Sequence, residues 1–177
     1  MQPKNISHHE LLIRLARPED ASTIHAAILD LAAHLGETDK VIGTVEDFRR
    51  FGFGDEPAFT CLIAETGDAF AGLSLFFPMF STWLGKPGVY VQDLYVDPRF
   101  RRRGIGERLL CATAAWSGKR GGAYLRLAVD AGNETAHAFY EKLGIGWLRA
   151  DRSHAAYGAA FRSLAQAGAT ISEKQVR

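Results

Sequence analysis

Cysteine is scarce in this chain: there are two in 177 residues, Cys61 and Cys111, each inside an apolar run and neither in a metal or redox spacing. No disulfide framework is expected, and both read as small core residues in a reducing compartment. An excess of charge of one sign is missing too. The formal net charge is +1, whereas a module whose main partner is nucleic acid usually carries a clear basic excess. No window reaches the roughly 20 apolar residues of a membrane span, and MQPKNISHHELL at the N-terminus lacks an apolar signal core. The expectation is a cytoplasmic protein with neither nucleic acid nor membrane as partner. His8, His9, His25, His34, His137 and His154 form no paired metal spacing, so no metal is assigned. Internal repeats and low-complexity segments are likewise missing.

What the chain does have is concentrated between Tyr90 and Leu110, YVQDLYVDPRFRRRGIGERLL. An apolar strand passes through Asp97-Pro98 into a basic, glycine-rich loop and then into an amphipathic helix. Gly104 and Gly106 let the backbone turn tightly and present free N–H groups at the positive end of the helix dipole, beside Arg101, Arg102 and Arg103. A phosphate or diphosphate suits that arrangement. A nucleoside-triphosphate loop is excluded, because Glu107 and Arg108 stand where lysine and a hydroxyl are needed. A dinucleotide fingerprint is excluded because its third glycine is replaced by Leu109.

The length suits one domain with its own core, expected over 12–170 between an N-terminal extension at 1–11 and a polar tail at 171–177. Leu12 to Ala16 reads as a strand. Ile24, Ile28, Leu31 and Leu35 recur at helical spacing until Gly36, and Thr44 with Asp47 forms a variant capping box for a second helix through Phe51. Phe59 to Glu65 and Ala69 to Phe77 are strands joined by the turn Thr66-Gly67-Asp68. After a loop, FSTWLGKPG, come a strand at Val89 to Val96, the anion loop with a helix through Trp116, and a strand at Tyr124 to Val129. Asn133 N-caps a further helix through Lys142, with Gly144 at its C-terminal end. Strand, loop, helix and strand make a βαβ crossover, so the neighbouring strands run parallel or splay apart.

In that setting Arg101-x-x-Gly104-x-Gly106 resembles the coenzyme diphosphate loop of the GNAT N-acetyltransferases. FSTWLGKPGVYVQDLYV is similar to the diamine and polyamine branch of that superfamily, and Asn133, Ala136, Phe139, Tyr140, Leu143 and Gly144 match its N-x-x-A-x-x-F/L-Y-x-x-L-G signature. The resemblance spans Leu12 to Gly144. It implies the acyl-CoA N-acyltransferase fold, an α/β domain with a mixed, mostly antiparallel sheet and a splayed parallel strand pair, flanked by helices. The pantetheine arm of acetyl-CoA would lie between strands four and five like an added strand. After Gly144 the family usually continues with a Trp-containing strand pair. Here Trp147 precedes HAAYGAAFRSLAQAG, which reads either as a strand near Tyr157 and then a helix, or as helix throughout.

The chemistry implied is acetyl transfer to an amine, and an alkylamine is only about one part in a thousand neutral near pH 7.4. The branch's glutamate, thought to act as base, is replaced by Gln92, which accepts a hydrogen bond but takes no proton. Asp93 or solvent is then the proton acceptor, and Asp93 reads alternatively as a structural hydrogen-bonding or ion-pairing residue. The resemblance places the Tyr140 hydroxyl near the coenzyme sulfur as a proton donor; a core aromatic is the competing reading. Asn133 either bonds the pantetheine, caps its helix, or does both. The resemblance also implies a backbone N–H within Leu94, Tyr95 and Val96 as oxyanion donor, with Arg101 to Gly106, including Ile105, holding the diphosphate. Glu37 and Asp39 either select a cationic acceptor or form a solvated loop. Trp83, Phe76, Phe77 and Phe80 either line a methylene slot or make core or dimer contacts.

The expected activity is acetyl-CoA-dependent transfer to a primary amine, a diamine, polyamine or lysine-like small molecule, directly in a ternary complex. Acetylation of a protein, peptide or antibiotic amine is one alternative. A non-catalytic acyl-CoA-binding regulator is another. The resemblance also points to a homodimer.

Overall fold

The computed structural model describes residues 10–148 and 154–167. Of the extension expected at 1–11, residues 1–9 lie outside the described residues, as does the tail at 171–177, and Leu11 already belongs to the first strand. The chain packs as two units that meet in sequence after Gly132.

The first unit is a five-stranded sheet with strands in chain order: β1 (Leu11–Leu15), β2 (Thr60–Thr66), β3 (Ala69–Ser81), β4 (Lys86–Val96) and β5 (Leu125–Leu127). β1 to β4 are antiparallel, and β5 pairs parallel with β4 over Val89–Val91 only. This is the mixed α/β sheet expected. Helices α1 (Ala21–Leu35) and α2 (Val45–Phe53) precede β2, and α3 (Ile105–Gly118) links β4 to β5.

Local signals explain the helix ends. Thr44 Oγ1 accepts from Asp47 N, while the Asp47 carboxylate accepts from Thr44 N, the reciprocal box that satisfies orphan amides of α2. α1 stops where Gly36 turns left-handed at φ +71°. Arg14 of β1 spans Asp20 at 2.7 Å and Glu65 at 2.7 Å, fastening the entry to α1 onto the first two strands.

The two faces of the sheet carry different helices. On one, Ile24 and Ala27 of α1 meet Cys61, Ile63, Leu73, Leu75 and Tyr95. On the other, Thr113 of α3 shares a buried 2.9 Å hydrogen bond with Ser74, and Trp116 meets Phe76 edge-on at 5.0 Å. Cys61 is buried as expected, but Cys111 is exposed. The buried stripe of α3 runs through Ile105, Leu109, Leu110, Thr113 and Ser117, and residue 111 falls outside it.

The sequence misplaced one connection. Most of FSTWLGKPG is strand, because β3 and β4 continue as a paired arm to Ser81 and Lys86 and turn only at 82–85. β5 is also shorter than the expected strand at 124–129.

The second unit contains α4 (Glu134–Lys142) and α5 (Gly158–Ala167). Asn133 Oδ1 accepts from Ala136 N and caps α4, and Gly144 is left-handed at φ +77°. Residues 158–167 are helix, and 154–157 have no regular structure. Among the described residues no helix is long and apolar enough to cross a membrane, and no group of three or more acidic, His or Cys side chains can hold a metal ion.

Candidate active site

The site begins at an irregularity in β4. Phe76 of β3 stands opposite Val91, and the preceding Leu75 stands opposite Asp93, so Gln92 is an extra residue without a cross-strand partner. Such a bulge interrupts the alternation of side chains. Asp93 therefore joins the row Cys61–Leu75–Asp93 on the α1 face, while Val91 stands opposite Phe76 on the α3 face. Gln92 itself is exposed.

The bulge also marks where β4 and β5 part. Their pairing ends at Val91 and Leu127. Asp97 N–H donates to Ala71 O at 3.0 Å, and residues of an antiparallel strand alternate in the edge to which their backbone groups point. The N–H groups of Leu94 and Val96 therefore face the edge that β5 has left, while that of Tyr95 faces β3. Gly88 permits the close approach that precedes this parting: a Cβ there would stand 2.6 Å from the Tyr124 carbonyl oxygen and ring.

The open edge runs directly into the loop. Asp97 caps a single 3-10 turn, Pro98–Phe100, accepting from Arg99 N at 2.9 Å. Arg101 Nε then donates to Val96 O at 3.0 Å. Arg102 and Gly104 both adopt left-handed conformations, at φ +61° and +74°. Alternation of hand around Arg103 turns successive amides toward one concave side, a favourable anion cradle. The first backbone bond of α3 is Arg108 N to Gly104 O, so the amides of Ile105, Gly106 and Glu107 have no intrahelical acceptor. Arg101, Arg102, Arg103 and Gly104 are all exposed.

Asp93 is half-buried and makes no hydrogen bond or ion pair among the described residues. Desolvation raises its carboxyl to a pKa of about 6, the range of a proton acceptor working near neutrality. Burial also raises the Cys61 thiol, with Asp20 and Asp93 adding to the effect.

Tyr95, on the same face as Asp93, donates from its hydroxyl to Asp30 Oδ2 of α1 at 3.1 Å. That pair lies in an open cavity of about 460 Å³ whose walls include His34, Asp97, Arg99 and Arg101. The sequence had singled out the Tyr95 backbone, but gave no sign of this use of its side chain. Asp30 was not singled out at all, although a carboxylate one helical turn before His34 on an apolar helix was the available signal.

Other expected site residues are placed less closely. Glu37 already holds its own cation, the Lys40 ammonium, whose pKa it raises, with lesser contributions from Asp39 and Asp130. Asp39 is exposed. Trp83 is 98% exposed at the tip of the β3–β4 arm, with Phe80 and Leu84 also exposed nearby. Phe77 stacks on Tyr90 at 5.2 Å, while Phe76 is core. In the second unit Tyr140 is half-buried against Phe139, with burial raising its phenol pKa.

Known proteins share both pattern and fold. The profile of the Acetyltransferase (GNAT) family matches residues 25–145. Thialysine N-epsilon-acetyltransferase of Sus scrofa is 34% identical over 142 residues, covering 76% of this chain and 83% of its own. The Mus musculus protein of that name is 34% identical over 86% of this chain and 96% of its own. Among solved structures, an integron cassette protein from the mobile metagenome of V. cholerae superposes with a TM-score of 0.74 at 20% identity, covering 88% of this chain and 98% of that one.

Proposed function

The chain belongs to the Acetyltransferase (GNAT) family and is an N-acetyltransferase, and from that premise we propose that it moves an acetyl group from acetyl-CoA directly to a small primary amine. One observation carries the donor assignment: the open Leu94 and Val96 amides lead without interruption into the loop where the N–H groups of Ile105, Gly106 and Glu107 have no intrahelical acceptor. An extended amide-bearing arm suits the first, and a diphosphate suits the second. Arg101, Arg102 and Arg103 add charge around the cradle. Acetyl-CoA, when bound, supplies the activated acyl group.

The chain's own groups divide the remaining work. A Leu94 or Val96 N–H donates to the oxygen on which negative charge develops. Asp93, with a pKa near 6, takes the ammonium proton of the acceptor, and the Tyr140 hydroxyl donates one to the departing sulfur. Gln92 contributes a hydrogen-bonding amide and the spacing of the bulge. Asn133 caps α4 and offers its remaining side-chain groups to the pantetheine. Direct transfer is supported by the placement of the thiols: Cys61 is buried with its pKa raised, which suppresses the nucleophilic thiolate, and Cys111 is exposed on α3 outside the stripe that meets the sheet.

The acceptor is proposed to be a diamine, polyamine or lysine-like molecule. The names of the thialysine acetyltransferases and of the human spermidine/spermine N(1)-acetyltransferase-like protein 1 support that class. A homodimer in a reducing cytoplasm is the proposed setting, and both cysteines are free. The test is release of free CoA from acetyl-CoA against diamines, polyamines, lysine analogues and peptides. Saturable turnover of one small amine supports the proposal; coenzyme binding without turnover of any of them overturns it.

A further inference from the structure

The cavity between α1 and the end of β4 has an uneven charge balance. Arg99 engages Asp97 through both Nε and Nη2, at 2.7 to 3.1 Å, so that those two charges cancel within the wall. Arg101 uses Nε on the Val96 carbonyl and belongs to the loop assigned to the diphosphate. Asp30 is different. It is exposed, and among the described residues its one hydrogen bond comes from a neutral phenol and it has no ion-pair partner. His34, one turn further along α1, makes no hydrogen bond to it. When Arg101 is engaged by phosphate, the Asp30 carboxylate is the uncompensated charge in the cavity.

We propose that this cavity receives a second cationic group of the acceptor, an ammonium held by Asp30, so that the enzyme selects amines with two positive charges. The inference rests on the acetyltransferase reading above and adds the residue that selects the charge. Tyr95 makes the carboxylate a defined partner: its ring is locked in the core with Ile24 and Ala27 and stacks on Phe70, and its hydroxyl fixes Asp30. Tyr95 follows Asp93 by two residues on the same face of β4, so an amine at Asp93 and a second cation beyond the Tyr95 ring lie on one side of the sheet. The chain length that joins them is what a diamine series reads. A neutral alkyl end of the same length gains nothing from Asp30.

The experiment compares kcat/KM for α,ω-diamines of four to eight carbons with that for the monoamine of each length, at saturating acetyl-CoA. One charge-assisted hydrogen bond predicts a preference of about tenfold or more for the diamine. In Asp30→Asn, which keeps an acceptor oxygen for Tyr95, the ratio should fall to within about twofold of unity, with the thermal midpoint confirming the fold. His34→Lys, at an exposed position four residues from Asp30, should cause the same collapse by supplying an internal ammonium. A wild-type ratio near one, or one that survives both substitutions, overturns the inference. Equal turnover of both amine classes sinks the second-cation site and leaves acetyl transfer standing. Turnover of no amine overturns both.

Discussion

Asp93 lies two residues from Val91 in the same strand yet on the opposite face of the sheet, because Gln92 bulges out between them. An unbulged strand would have put both on the α3 face, among Phe76, Leu109 and Trp116. The extra residue turns a carboxylate toward Cys61 and Tyr95 and coincides with the parting of β4 from β5.

That placement predicts a conflict between stability and activity. The Asp93 pKa rises from 3.8 to about 6 through desolvation. Between those values the folded state binds more protons than the unfolded one, so this group's contribution falls as pH rises and the cost is complete above about pH 6. At pH 7 the penalty is about 3 kcal/mol. Asp93→Asn should therefore raise the denaturant midpoint at pH 7 while removing the limb of the kcat/KM profile that rises near pH 6. A destabilised variant with an unchanged pH profile would refute the base assignment.

Arg14 should show the opposite sign. Its guanidinium holds the Asp20 carboxyl below its ordinary range, so this pair stabilises above the normal carboxylate pKa and the benefit is lost as pH falls. Arg14→Met leaves the half-buried Asp20 and Glu65 without their shared cation. The expected loss is about 2 kcal/mol at pH 7, discounted from the range for fully buried pairs. Urea titrations at pH 7 and pH 3.5 check it: the deficit should shrink at the lower pH.

Tyr140→Phe should lower kcat by about ten to a thousandfold with little change in acetyl-CoA affinity. Rapid-quench measurement of the chemical step, alongside the thermal midpoint, separates lost proton donation from damaged packing. Equal rates in wild type and variant would leave Tyr140 a packing residue.

Gly106→Val tests the anion loop. Valine is no worse a helix former than glycine, so the first turn of α3 should persist, whereas each charge-assisted bond lost to a diphosphate weakens binding by about tenfold or more. Calorimetric titration should give that loss in a folded protein; unchanged affinity would move the coenzyme elsewhere.

Much of this organisation was legible from local chemistry. Gly36, the Thr44–Asp47 box, Asn133 and the Gly104 loop act within a few residues of themselves, so their consequences could be read directly. The β3–β4 arm was not legible, since Pro78, Gly85, Pro87 and Gly88 resemble a loop. Proline is tolerated at 78 because the β2 ladder ends at Phe76, so its missing N–H breaks no bond on that side. The Gln92 bulge depends on register against β3, and the Asp30–Tyr95 contact joins residues 65 apart. Neither leaves a short-range signature. Alternation along a strand puts neighbours such as Gln92 and Asp93 on different faces, but assigning each to its face required the strand's neighbours.

The bulge also sets different tolerances to substitution and deletion. Exchanging the exposed Gln92 side chain leaves the backbone count intact, whereas deleting that residue restores unbroken alternation through the end of β4. Removing it joins Val91 directly to Asp93, and each keeps its partner, Phe76 or Leu75, and its own face. What disappears is the local bend and added twist that a bulge gives a strand, at the point where β4 leaves β5. Loss of residue 92 should therefore spare the core and act on the opening between the two strands, whereas deleting a residue on either side of it shifts the register by one and turns every side chain beyond to the other face.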